Sequence, residues 1–273
     1  MEQIAVISDI HGNLTALETA LADIERRGIR RIFCLGDIVA KGTHSEECVQ
    51  LVRKTCEIVI QGNCDDFFSA DLDLAGRSEL TVRRIRWNRD KLSDSSKAYL
   101  RSLPFMHEFY LSGRLVRIFH SHPTRNDAYV GGLDSLDEQF GMFLPGEKTL
   151  SDQIADVVIY GHIHLPFMQK MYHRVLINAG SVGNAVDCIR SEERDGDARN
   201  TAVISYLILK GEPDSRDWGK ELAYELISIP YDIEAELAAN EDNIEFEDYR
   251  KELRDGCYRD MAKVRRMMAR SRS

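Results

Sequence analysis

Ile4-Ala5-Val6-Ile7-Ser8-Asp9-Ile10-His11-Gly12-Asn13 is the stretch that decides the fold. Four apolar residues in a row, without polar alternation, read as a short strand covered on both faces. Asn13 follows at once and can cap a helix whose apolar positions Leu14, Leu17, Leu21 and Ile24 recur at helical spacing, with Gly28 closing it. The pattern then repeats. A strand over Arg31–Leu35 ends at Gly36-Asp37, a helix runs from Ser45 to Lys54, and a strand over Glu57–Ile60 ends at Gly62-Asn63. Strand-helix-strand-helix-strand in this order predicts an α/β fold with a parallel sheet and right-handed crossovers.

Further along, residues 65–103 read as a charged helical insert carrying Arg83, Arg84, Arg86 and Arg89 beside Trp87. Strands are expected over Phe105–Leu111, Leu115–His120, Val157–Tyr160, Arg174–Ile177, Ala202–Leu209 and Ala223–Ile229. A Gly131-Gly132 loop falls among them, and a polar loop with Arg190, Arg194 and Arg199 spans Gly183–Asn200. Beyond Pro230 the chain turns helical, acidic through Glu252 and then basic at Lys263, Arg265, Arg266, Arg270 and Arg272. The organisation expected is one domain over 1–230 and a C-terminal helical extension over 231–273, packed on or flanking the core. That extension also offers a surface for homo-oligomer formation.

The 273 residues are 43% apolar and 30% charged, as in an ordinary globular protein. A net charge of −9 argues against a stable, sequence-independent nucleic-acid complex, which needs a positive surface to displace counterions. No apolar run approaches the ~20 residues that span a bilayer, so no membrane partner is expected. The N-terminus lacks a charged segment followed by an apolar one. The six cysteines are scattered and read as reduced thiols. These features together make a cytoplasmic enzyme the expectation.

The chemistry lies just past the strands. Five segments deliver Asp9 and His11, Asp37, Asn63, His120, and His162 with His164 to the carboxyl ends of their strands, where α/β sheets collect ligands. Gly36, Gly62 and Gly161 directly precede three of these groups and allow the sharp turn and close approach a bound ion requires. Imidazole and carboxylate suit Mn, Fe or Zn. Seven donors exceed what one open catalytic ion takes and suit two, with Asp37 bridging ions about 3.5–4 Å apart. Each fragment alone is a common turn; Gly161-His162-x-His164 is more specific, and the ordered set is strong.

This series resembles the calcineurin-like metallophosphoesterase superfamily. The run Ile177-Asn178-Ala179-Gly180-Ser181-Val182-Gly183 is similar to a turn of its small bacterial branch of diadenosine tetraphosphatase-like phosphoesterases, and Pro230-Tyr231-Asp232-Ile233 to the tail of such members. The resemblance implies a four-layer αββα sandwich and two divalent metal ions, Mn first and Fe or Zn next. One ion would be held by Asp9, His11, Asp37 and His164, the other by Asp37, Asn63, His120 and His162. It implies hydrolysis of phosphoanhydride or phosphodiester bonds by a metal-bridging hydroxide. A small phosphorylated substrate of nucleotide type, such as a dinucleoside polyphosphate, is expected. A serine/threonine protein phosphatase, or a silent metal-binding scaffold, is the alternative.

Two departures bear on the substrate. Protein phosphatases of the superfamily carry a proton-donating His where this chain has Cys64, and an orienting Asp where it has Ala40. Both halves of that pair are replaced together, which favours substrates with good leaving groups. His122 becomes the candidate proton donor beside the catalytic Asp37 and Asn63, and Lys41, Asn178 and Ser181 become candidate substrate contacts.

Overall fold

The computed structural model describes residues 1–185 and 203–256; Arg190, Arg194 and Arg199 of the polar loop and the basic tail after 256 lie outside them. Two five-stranded sheets form the frame. The first runs β10 (Ala223–Pro230), β9 (Val203–Gly211), β1 (Glu2–Ile7), β2 (Arg31–Cys34), β3 (Ile58–Val59). As the sequence predicts, β1, β2 and β3 are parallel, while β9 joins β1 antiparallel. The second runs β4 (Met106–Leu111), β5 (Arg114–Phe119), β6 (Val157–Tyr160), β8 (Arg174–Asn178), β7 (Phe167–Met171). Its inner strands β5, β6 and β8 are parallel and both edges antiparallel.

The unbroken apolar run of β1 is explained by its two faces. Ile4 and Val6 enter the core between the sheets with Phe33, Leu207, Val116 and Ile118. Ala5 and Ile7 turn outward under α1 (Leu14–Arg26) and α2 (Ser45–Thr55). The α1 stripe is narrower than its leucines suggest: Ala16, Leu17, Ala20 and Ile24 are buried, with Leu14 and Leu21 at the margin. Asn13 caps the helix, its side-chain oxygen accepting from the Ala16 N–H at 2.9 Å.

The helical insert resolves into α3 (Asn63–Ser69), α4 (Glu79–Asp90) and α5 (Asp94–Ser102). Over the second sheet the outer layer is thin, consisting of α6 (Leu136–Gly141) and the loops around Phe143. Strand β7 was not anticipated: it is an edge strand, half exposed and mixed in polarity, directly after Pro166. Beyond β10, α7 (Ile233–Ala238) and α8 (Phe246–Asp255) share a small cluster of Ile233, Leu237, Tyr249 and Leu253. Arg84 of α4 reaches Glu245 beside α8 at 2.8 Å. Cys34, Cys48, Cys56 and Cys64 are free thiols. Among the described residues no helix is long and apolar enough to cross a membrane.

Candidate metal centre

Five side chains singled out in the sequence sit on backbone of an unusual kind. Asp9, His11, Asp37, His162 and His164 all have positive φ, between 51° and 67°. Non-glycine residues adopt this left-handed region only where their surroundings over-determine it, and such residues gather at functional sites. The surroundings here are the neighbouring turns. The Asp9 N–H donates to Gly36 O (3.0 Å), the His11 N–H to Asp37 O (2.9 Å), and the Gly161 N–H to His120 O (2.9 Å). Glycine is needed where turns meet: a Cβ on Gly62 would run into the Asp37 backbone and carboxylate, and one on Gly161 into Ser8 and Asp9. The strand-end glycines thus permit the crowding that brings distant donors together.

The donors converge in two groups, Asp9-His11-His164 and Asp37-His120-His162, each with its ligand atoms within 4.8 Å of one another. His11 joins them, its Nε2 lying 3.0 Å from His164 Nε2 and 3.7 Å from the Asp37 carboxylate. His120 Nε2 lies 3.5 Å from Asp37 and 3.0 Å from Asn63 Oδ1. All seven expected residues therefore surround one centre, with Asp37 between the groups. Asn63 and His162 are half-buried and the rest buried.

The donor set fits two divalent cations by an independent test. His162 Nε2 is buried and without a hydrogen-bond partner, an arrangement that costs free energy unless something else occupies its lone pair, and the buried Asp9 Oδ1 has His164 Nε2 beside it at 3.2 Å. Three imidazoles are also oriented from behind. Nδ1 of His11, His120 and His164 faces the carbonyls of Val39 (3.3 Å), Leu35 (2.8 Å) and Asn184 (2.6 Å). A proton shared with a carbonyl at Nδ1 leaves Nε2 as the ligating lone pair, the usual outer-shell device around metal-bound histidine.

Electrostatics agree. Burial would raise both carboxylates, but His164 draws Asp9 down to about 2, and His120 holds Asp37 well below the usual range. Burial lowers His11 to about 3 and His162 to about 4, so both are neutral and ready to ligate. Burial opposes charge on His120 as well, yet the adjacent Asp37 carboxylate raises it to about 9.

The other candidates have different surroundings. Asn178 and Ser181 are fully buried. Asn178 Nδ2 donates to Gly161 O at 2.6 Å and Ser181 Oγ to Asp9 O at 2.7 Å, so both pin the ligand-bearing turns. Lys41 donates to Asn184 Oδ1 (3.1 Å) and Glu252 (3.0 Å). His122 lies on the loop after β5, where its Nδ1 accepts from the Thr124 N–H at 3.3 Å. That loop docks on the third strand end through Asn126, which donates to Gln61 O at 2.7 Å. Cys64 Sγ lies within 4.8 Å of ligand atoms of His11 and Asp37. Arg89 of the arginine cluster is tied to Ala70 O and Asp71, and Lys91 covers Trp87.

Asp65 was missed. Its carboxylate accepts from the backbone N–H groups of Ile38 (2.9 Å) and Val39 (3.4 Å) on one oxygen and Gly62 (3.0 Å) on the other. It thereby locks the Asp37 turn to the Asn63 turn. The available signal was a carboxylate three residues past Gly62 at the start of a helix, the position that reaches back to an N-cap.

The geometry can be set beside known proteins. The family profile described as calcineurin-like phosphoesterase superfamily domain matches residues 2–206. An uncharacterized protein of Methanocaldococcus jannaschii, MJ0912, is 31% identical over 246 residues, covering 84% of this chain and 88% of that one. A crystal structure of a metallophosphoesterase from Sphaerobacter thermophilus superposes with a TM-score of 0.69 at 25% identity, covering 93% of this chain and 99% of the other. Hypothetical protein PH1004 from Pyrococcus horikoshii has the same fold, with a TM-score of 0.69 at 20% identity over 94% and 100%.

Proposed function

Because the chain belongs to the calcineurin-like phosphoesterase superfamily and is a metal-dependent phosphoesterase, we propose that it hydrolyses phosphoanhydride or phosphodiester bonds of nucleotide-type substrates, dinucleoside polyphosphates among them. The observation that carries the substrate class is the joint replacement, by Cys64 and Ala40, of the His–Asp pair that the superfamily's protein phosphatases carry. An alkoxide leaving from phosphoserine needs a strong proton donor, whereas a phosphate leaving from an anhydride or an aryl oxide departs as a stable anion. A chain without that imidazole is suited to the second kind.

When bound, two divalent ions supply Lewis acidity toward phosphoryl oxygens and lower the pKa of water. Asp9, His11, Asp37 and His164 would hold one and Asp37, Asn63, His120 and His162 the other. The carbonyls behind His11, His120 and His164 keep each Nε2 aimed inward. The Thr124 N–H, donating to His122 Nδ1 at 3.3 Å, favours the tautomer with the proton on Nε2, and in this reading His122 gives that proton to the departing oxygen. In the balanced reaction water forms the new P–O bond, the bridging P–O bond breaks, and one water proton ends on the leaving group or in solvent. Manganese is the first choice of metal by ligand type, with iron and zinc next.

The test is a hydrolysis screen on Mn²⁺-reconstituted protein with a dinucleoside polyphosphate, an aryl phosphodiester and a phosphopeptide. Turnover of the first two well above the third is expected. A clear phosphopeptide preference would overturn the substrate class in favour of a protein phosphatase, and metal-loaded protein inert toward all three would point to a scaffold.

A further inference from the structure

Two of the groups that orient the histidines are held by chain beyond the stretch that matches the family profile. That match ends at residue 206, within β9, and β10, α7 and α8 follow it. From α8, Glu252 Oε2 accepts from Lys41 Nζ at 3.0 Å and from Asn184 Nδ2 at 3.1 Å, and Lys41 Nζ also donates to Asn184 Oδ1 at 3.1 Å. Each member of this three-residue ring bonds the other two. Asn184 is the residue whose backbone carbonyl faces His164 Nδ1 at 2.6 Å.

The turn between α7 and α8 grips the loop that backs His11. Ala40 and Lys41 have φ of 80° and 63°, a conformation that residues with a Cβ keep only when held. The holding bonds come from both sides. Asn243 Nδ2 donates to Lys41 O (2.6 Å) and the Thr43 N–H to Asn240 Oδ1 (2.8 Å). The Gly42 N–H donates to His11 O (2.8 Å) and the His44 N–H to Gly12 O (3.1 Å). Val39, immediately before this loop, supplies the carbonyl behind His11 Nδ1.

We propose that the α7–α8 segment is a clamp for one of the two cation sites, the one built on His11 and His164, with Glu252, Lys41 and Asn184 as positioning residues. The other group takes its support from different elements: His120 from Leu35 at the end of β2, and the Asp37 carboxylate from the Cys64 N–H at 2.8 Å. The clamp therefore acts asymmetrically. This inference rests on the two-cation reading and adds that the C-terminal helices set the affinity of one site.

The experiment counts Mn²⁺ bound to the full chain by calorimetry and electron paramagnetic resonance, with circular dichroism to confirm folding. Wild type should bind two. Glu252→Ala should weaken one Mn²⁺ by about ten- to a hundredfold, the usual loss when an outer-shell partner is removed, and leave the other unchanged. Glu252→Gln, which keeps an acceptor for the Asn184 amide, should recover part of the loss. Folded Glu252→Ala with both affinities unchanged, or with both reduced alike, overturns the clamp. Wild type that binds no Mn²⁺ overturns the two-cation reading instead. Should Glu252→Ala fail to fold, Lys41→Met breaks the same ring from the loop side and is judged by the same two affinities.

Discussion

His120 is the ligand whose protonation state has the most to say about metal loading. Its Nδ1 faces the Leu35 carbonyl, so a cation must be met by Nε2, the atom beside Asp37. Burial disfavours the imidazolium, but Asp37 outweighs burial and raises the pKa from 6.5 to about 9. In the metal-free protein this charge pair contributes stability that is complete below 6.5 and lost as pH rises through 9. A cation needs the deprotonated ring, so the sign reverses for binding: Mn²⁺ affinity should increase from pH 7 to pH 9, with about one proton released per chain at the lower end. His11 and His162, already neutral with values of about 3 and 4, add nothing to this release. Calorimetry in buffers of differing ionisation enthalpy measures the proton directly. An affinity flat across that interval would mean His120 is not charged in the metal-free centre.

The strand-end turn is the element on which the centre is built, and Asp65 is the tie between two of these turns. It is fully buried and accepts three backbone N–H groups. Asp65→Ala would strand those donors, at about 1–3 kcal/mol for an unsatisfied buried group, and would let the Asp37 and Asn63 turns separate. A lower urea midpoint together with weaker Mn²⁺ binding is expected, with Asp65→Asn intermediate because its amide oxygen still accepts on one side. Unchanged binding in the alanine variant would show that the turns hold without the tie. Such elements were legible unequally. The parallel strands announce themselves because burial on both faces demands unbroken apolar runs, and the ligands because each follows such a run. Asp65 was hidden because an acidic residue at a helix start ordinarily faces water. β7 was hidden because an edge strand needs only one apolar face, and Pro166 marks its start as a turn.

At the scale of the whole molecule, charge misleads sequence reading in the same way wherever it turns inward. The acidic stretch after Pro230 reads as an extension offering a surface to another copy, yet Glu236 and Glu252 are buried within the chain itself, because a charge run records composition and not the position of partners. Arg117 is the clearest case. It lies within an apolar strand run, and its side chain is wholly buried. The register pairs Val116 with Val157 and Ile118 with Ile159, and these residues lie in the core between the sheets. Arg117 projects from the other face. There it donates to Glu108 at 2.6 Å, to Phe143 O and Leu144 O at 2.9 and 3.2 Å, and to Gln153 O at 2.8 Å. One guanidinium thus fastens the loops that, with the six-residue α6, make up the thin outer layer. Glu108 balances its charge, so Glu108→Ala leaves a buried cation uncompensated. The cost of breaking such a pair is about 3–5 kcal/mol, which for a chain of this size lowers Tm on the order of 10 °C. Glu108→Gln, which still offers an acceptor, should lose less. Mn²⁺ affinity should stay at the wild-type value in both, because His120 lies on the opposite face of this strand's path and is backed by Leu35 from the other sheet. Thermal melts paired with Mn²⁺ titrations of the same samples check both halves of the argument. An alanine variant that melts with wild type shows that the outer layer is held by packing alone, and one that loses metal together with stability shows that the two faces of the second sheet are coupled.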